Sequence, residues 1–343
     1  MRATRPAGLG LWFAVASAAT FGTSGPFAKS LLQEGWSSGA VVLLRVTGAA
    51  LVLAIPTVMA IRGRWALVRR NLGAVAAYGV VAVAGCQVSY FYAVQRLSVG
   101  VALLLEYLGV VLVVLWAWLR TRRAPARLTA TGMVVALAGL ALVLDLAGQA
   151  RPDLVGVLWG LLAAVGLATY FVIAAHDSGL PPVALAGLGM GLGAAVLAVL
   201  GAVGLVPMHF SSAGVRLLGR TLPWWLPVVE LALVAAAAAY LLGVVAARLL
   251  GSTVAGFVGL TEVLFAVLFA WLLLGELPAP VQLAGGVLIV AGVVCVRLGE
   301  LRQASRDSAE SIRSAEDDSD DSDDSDDSDG STSPDFPLPA GVA

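Results

Sequence analysis

Apolar runs, each about as long as a bilayer crossing, alternate with short polar breaks along the chain as far as residue 300. Crossing about 30 Å of hydrocarbon takes roughly 20 residues of helix at about 1.5 Å each. Ten segments qualify: residues 8–28, 39–60, 72–94, 98–119, 128–146, 154–175, 182–205, 224–247, 251–274 and 280–297. Backbone groups cannot stay unpaired in lipid, and the runs lack the strict alternation of strands, so they are expected to be helices. The pattern predicts an all-α integral membrane protein with ten transmembrane helices.

The second half of the chain repeats the first. An offset of 153 residues lays Phe91–Val143 on Val244–Val296 without a gap, with Trp118 on Trp271, Pro125 on Pro278, Gly132 on Gly285 and Gly139 on Gly292. Two related halves around a shared site are a transporter architecture. Five helices per copy is an odd number, so the second copy enters the membrane inverted. The expected units are residues 1–150 and 151–300, followed by a tail at 301–343.

Charge fits this picture. The formal net charge of -1 hides a body, residues 1–300, with 18 basic and 9 acidic groups. With both termini cytoplasmic, 15 basic residues fall inside, five outside and Arg45 within a span; the excess inside sets the orientation. The RTRRAPAR loop after the fourth span has four arginines, whereas its repeat mate LGELPAP has none and carries Glu276. Matching loops of opposite charge character are what inversion predicts. The arginines sit in short clusters between apolar runs, which argues against nucleic acid and for an anionic leaflet. Beyond Leu301 the chain turns to SAEDDSDDSDDSDDSDG, a composition expected to be disordered and solvated. Arg2 and Arg5 before an apolar stretch ending VASAAT imitate a signal peptide. The segment is expected to stay as the first helix, since its loss would leave the first repeat one helix short.

Two segments resemble the halves of a known transporter unit. Residues 251–294, GSTVAGFVGLTEVLFAVLFAWLLLGELPAPVQLAGGVLIVAGVV, resemble the C-terminal signature of the EamA-type family of the drug/metabolite transporter superfamily, and residues 98–143 resemble its first-repeat counterpart. FGTSGPFAK at 21–29 and LLRVTG at 43–48 resemble its first two helices. The resemblance covers residues 8–298 and implies ten helices in two inverted halves around a central solute cavity. It implies export or import of amino acids, sugars, nucleotide-sugars or similar metabolites, with amino-acid exporters the nearest branch. Where family members often carry proline in the fourth and ninth helices, this chain has Val110 and Val263. Valine keeps the helix hydrogen bond that proline removes, which puts a kink at those places in doubt.

Charges within spans are costly and need a reason. Arg45 and Glu106 lie about 9 and 12 Å from the outer ends of their helices, similar in depth and opposite in sign. Either they form an intramembrane pair, or Arg45 snorkels outward and Glu106 is neutral. Glu262, about 16 Å from the inner end of its helix, is the candidate for proton coupling, with a plain interhelical hydrogen bond as the alternative. Glu230 reads as interfacial. Tyr107 and Tyr170 lie well inside their spans and suit a zwitterionic or sugar-like solute; Tyr240 also offers a hydroxyl, while Tyr90 and Tyr92 read as interfacial anchors.

Other chemistries are unsupported. Cys86 and Cys295 both fall in apolar segments and suggest neither a disulfide framework nor a metal cluster. His176 and His209 are isolated in different loops, so no metal is expected. GLGMGLGAA lacks the strand and acidic residue of a dinucleotide loop, and its Gly187, Gly189, Gly191 and Gly193 read as helix-packing positions. No Walker loop and no nucleophile–base set is visible, so neither enzyme activity nor a cofactor is expected. The expected function is secondary active transport of a small solute, export before import, by alternating access with proton coupling in the cell (inner or plasma) membrane. A facilitator or importer on the same fold, or a membrane scaffold acting through its acidic tail, are the alternatives. The sequence sets no oligomeric state.

Overall fold

The structure is a computed structural model that describes residues 7–96, 99–122, 126–143, 153–217, 219–275, 280, 281, 283–296, 298, 299, 302, 303 and 305. Pro125, Pro278, Glu276 and the acidic stretch from 306 onward lie outside the described residues.

A helix stands at each of the ten predicted places. The chain runs α1 (Ala7–Gly22), α2 (Ser24–Gln33), α3 (Ser38–Ile61), α4 (Trp65–Arg70) and α5 (Leu72–Ala77), which passes through a π-helical segment into α6 (Cys86–Arg96). Next come α7 (Val99–Thr121), α8 (Arg127–Val143), α9 (Leu154–Ala175) and α10 (Pro182–Ala202). A short hairpin, β1 (Val215–Leu217) and β2 (Arg220–Leu222), leads to α11 (Trp225–Ala232), a second π-helical segment and α12 (Ala239–Leu250). The last helices are α13 (Ser252–Gly259), α14 (Thr261–Leu274) and α15 (Leu283–Val296). Among the described residues, six stretches are long and apolar enough to cross a bilayer: Ser38–Ile61, Leu72–Ala93, Leu154–Ala175, Pro182–Ala202, Trp225–Leu250 and Ser252–Leu273.

Two predicted spans are interrupted. The first breaks at Thr23, because Pro26 has no N–H to give the Gly22 carbonyl and its ring crowds that carbonyl. The ninth breaks at Leu260 although valine occupies position 263: the Val263 amide bonds the Leu260 carbonyl at 3.2 Å, one residue short of the regular ladder. Thr261 bonds back to the Val258 carbonyl at 2.7 Å and competes with the helix there. Its repeat mate is Leu108, which has no hydroxyl, and α7 runs through unbroken.

The two halves meet about a two-fold relation. α1 packs on α12, α13 and α14, while α9, its counterpart, packs on α6 and α7; α3 lies along α10. The repeated glycines make the clearest contact. A side-chain carbon at Gly132 would stand 2.7 Å from the Gly292 carbonyl, and one at Gly139 would stand 2.7 Å from the Gly285 carbonyl. Rising along α8 therefore means descending along α15, so these repeat mates cross antiparallel, as an inverted repeat requires. Gly139→Leu is expected to force the helices apart and lower stability by roughly 1–3 kcal/mol, read as a lower unfolding temperature of the purified protein. The exposed Gly8, whose Cβ would meet nothing, supplies the silent control. Three of the four α10 glycines serve packing as expected, Gly187 facing Thr57, Gly189 the Tyr78 ring and Gly193 Val83, whereas a side-chain carbon at Gly191 would meet nothing, so packing does not explain that position.

Each end of the bundle is tied. At one end Asn71 Nδ2 donates to the Ser178 carbonyl at 3.2 Å, Thr57 Oγ1 to the Val183 carbonyl at 3.1 Å, and Arg248 to the Leu180 carbonyl. At the other, Ser37 Oγ donates to the Pro207 carbonyl at 2.8 Å, and Tyr92, stacked on Trp159, donates to the Leu205 carbonyl at 2.9 Å. The hairpin between α10 and α11 was not foreseen. Its Val215 is buried with Leu31, Trp36 and Leu231, so it caps that end of the bundle.

Asp153 caps α9, accepting from the amides of Val155 at 2.7 Å and Gly156 at 3.3 Å, and meets Arg96 at 3.1 Å. Those backbone bonds, and then the Arg96 guanidinium, hold its carboxyl below its ordinary range. A carboxyl lowered on folding stabilises above the ordinary aspartate range and loses that stabilisation as pH falls through its lowered value. The unfolding temperature of Asp153→Asn is therefore expected to lie below that of the parent at neutral pH, the gap closing in acid.

Candidate functional site

The polar residues of the spans gather where the halves meet. Gln87 in α6 and Tyr240 in α12 are repeat mates, and the Gln87 amide donates to the Tyr240 hydroxyl at 3.3 Å, so the two-fold relation passes through this bond. Both follow π-helical segments, Tyr78–Gly85 and Leu233–Ala238, which occupy corresponding places in the two copies. Runs of glycine and alanine allow this looser coil. Such segments shift carbonyls out of the regular ladder and recur at functional sites.

Arg45 makes use of one of them. Its guanidinium donates to the Ala235 carbonyl at 2.7 Å and to Gln87 Oε1 at 3.3 Å, and it is only 8% exposed. It does not snorkel. Nor, among the described residues, does an ion pair join it to Glu106, so the hydrogen-bonded pair considered from depth alone is not formed here. Depth gives one coordinate; the direction of a side chain around its helix is set by packing, and α3 turns Arg45 toward α6 and α11–α12. The cation thus rests on neutral partners.

Glu106 in α7 accepts from the Cys86 thiol at 3.3 Å. Glu262 lies in the first turn of α14, just after the break at Leu260, where the helix dipole favours a negative group. The Tyr107 hydroxyl stands beside the Glu262 carboxyl and donates to the Gly259 carbonyl at 3.4 Å, the group that the break releases. Tyr90, expected at the interface, lies instead within electrostatic reach of Glu106, Glu262 and Arg45. Glu230 is also drawn inward, accepting from Thr23 at 2.5 Å beside the break in the first span. Tyr170 sits below this group, its ring 5.5 Å from Tyr240 and 5.8 Å from Tyr78.

The structure therefore brings together Arg45, Glu106, Tyr107 and Glu262, with Tyr170 in the adjoining aromatic cluster. Gln87 joins them without having been singled out, and so do Cys86, read from the sequence only as a cysteine in an apolar segment, and Tyr90, read as an interfacial anchor. A signal for Gln87 existed: it is an amide within a span, one repeat length from a tyrosine. At the end of the bundle tied by Ser37 and Pro207, a small pocket opens between α3, α6 and the residues after α10, lined by Ser38, Gly39, Val88, Phe91, Tyr92 and Val206.

Fold and site together define a multi-pass helical membrane protein, built from two copies of one unit with a buried polar centre at their junction. The chain belongs to the EamA-like transporter family, whose profile matches residues 8–145 and 154–298. A solved structure given as "Crystal structure of protein" is similar in fold, with a TM-score of 0.70 at 19% identity, over 86% of this chain and 98% of that one. No curated protein matches the chain.

Proposed function

We propose that the protein is a secondary active transporter that exports small metabolites such as amino acids across the cell membrane. Ten helices span the bilayer, with both termini cytoplasmic, and the halves rock about the central group to give alternating access. The reading is carried by one observation: a buried cation and two carboxyls converge on the junction of the repeats, where repeat mates touch. Arg45, whose hydrogen bonds among the described residues go to neutral groups, meets an anionic group of the solute. Glu262, at a helix break near the midplane, binds and releases the coupling proton, with Tyr107 reporting its state to the facing half. Glu106, Tyr107 and Tyr170 complete the surface offered to the solute.

Flux of labelled amino acids, sugars and nucleotide-sugars in proteoliposomes, with and without an imposed proton gradient, tests this. Gradient-stimulated movement of one class is the expected result. Movement of a class at equal rate with the gradient collapsed would favour a facilitator, and no movement of any class would remove the transport reading.

A further inference from the structure

In the tyrosine cluster between the central group and the Asn71 end of the bundle, Tyr170 enters the scheme above as a solute contact, whereas Tyr78 has no role in it. Tyr78 is fully buried and Tyr170 is 5% exposed, yet neither hydroxyl has a hydrogen-bond partner. Their depths match: Tyr78 lies about 9 Å past the start of α5 and Tyr170 about 8 Å before the end of α9. The rings belong to opposite halves, Tyr78 to the first and Tyr170 to the second, and their centroids are 5.8 Å apart. Glycine makes the room for both. Gly189 lies under the Tyr78 ring, and Gly243 lies against the Tyr170 hydroxyl.

Tyr240, which abuts Tyr170, behaves differently, because its hydroxyl receives the Gln87 amide at 3.3 Å. A buried hydroxyl left unpaired costs far more than a made hydrogen bond returns. Two such groups, carried on rings 5.8 Å apart across the junction of the halves, penalise this arrangement, in which Asn71, Thr57 and Arg248 tie that end of the bundle.

We infer that Tyr78 and Tyr170 form a second polar station on the solute path, between the central group and the inner end. It takes a hydrogen-bonding group of the solute, or water, when the inner end opens. The station rests on the transport reading for its solute, but its effect on opening stands apart from it. The closed packing is held together by the end ties and the rings, and the two hydroxyls set its cost. Without them the inner-closed state gains relative to the inner-open one.

Hydrogen exchange of the full chain in lipid nanodiscs tests this without any transported ligand, followed in peptides covering residues 66–75 and 176–183. In Tyr78→Phe and Tyr170→Phe, exchange there is expected to slow by about tenfold each, and further in the double variant. Tyr240→Phe, which removes a paired hydroxyl, is expected to give no such slowing. Exchange in the double variant that is unchanged or faster than in the parent means the hydroxyls are already satisfied in the closed state, and overturns the inference. A thermal melt of each variant separates slower opening from loss of fold, since the Phe variants are expected to melt no lower than the parent. Failure of the flux panel in the parent would sink the transport reading alone and leave this exchange result standing or falling by itself.

Discussion

Glu262→Gln is expected to abolish stimulation of transport by a proton gradient while solute exchange at equal pH continues. Proton and solute are two ligands of one site, and their linkage is a free energy that removal of the titrating group sets to zero. For coupling of ordinary size, gradient-driven flux should fall by roughly 5- to 150-fold. The glutamine side chain keeps an oxygen beside the Tyr107 hydroxyl, so the contact across the break at Leu260 persists and the fold is not at stake. Counterflow of the labelled solute should remain within a few-fold of the parent. Glu106→Gln is the internal comparison, since the Glu106 carboxyl accepts a hydrogen bond from the Cys86 thiol at 3.3 Å and lies off the break. Should Glu262→Gln respond to the gradient as the parent does, Glu262 does not carry the coupling proton.

The helices, their places and the duplication were readable because hydropathy and repeat spacing depend on one dimension only. The glycine pegs were readable for the same reason, and the structure gives them a cause: Gly132 and Gly139 lie where two backbones touch those of Gly292 and Gly285. What failed to show depends on direction around a helix. Arg45 and Glu106 match in depth and in sign, yet α3 points the guanidinium at Ala235 and Gln87, and α7 points the carboxyl at Cys86. Tyr90 was placed at the interface by its nearness to a helix end and faces inward for a similar reason. The break at Leu260 was doubted because proline is absent. Thr261, a hydroxyl that competes for the Val258 carbonyl, does the work that proline does elsewhere. The π-helical segments left no periodic trace, since runs of alanine, valine and glycine fit either coil.

Arg45→Gln is expected to remove transport without weakening the fold. A guanidinium taken out of water and bonded, among the described residues, to the Ala235 carbonyl and the Gln87 amide retains much of its desolvation cost, because Glu106, Glu230 and Glu262 act on it from a distance and do not bond it. A neutral amide of lesser reach relieves that cost, and leaves the Ala235 carbonyl or the buried Gln87 Oε1 short of a donor. The unfolding temperature of Arg45→Gln should therefore equal or exceed that of the parent, while a solute with an anionic group should lose its counter-charge. Truncating one partner of a buried, hydrogen-bonded charge pair costs about 2–5 kcal/mol in affinity, so KM should rise by roughly 30-fold or more. Arg45→Lys keeps the charge but loses the planar fork that holds two acceptors at once, and should fall between. The opposite pairing of outcomes, a lowered melting temperature with KM unchanged, would make Arg45 a strut between α3 and the π-helical turn. Stability and flux must move apart for Arg45 to be the solute's partner, which is why both need measuring on the same preparation.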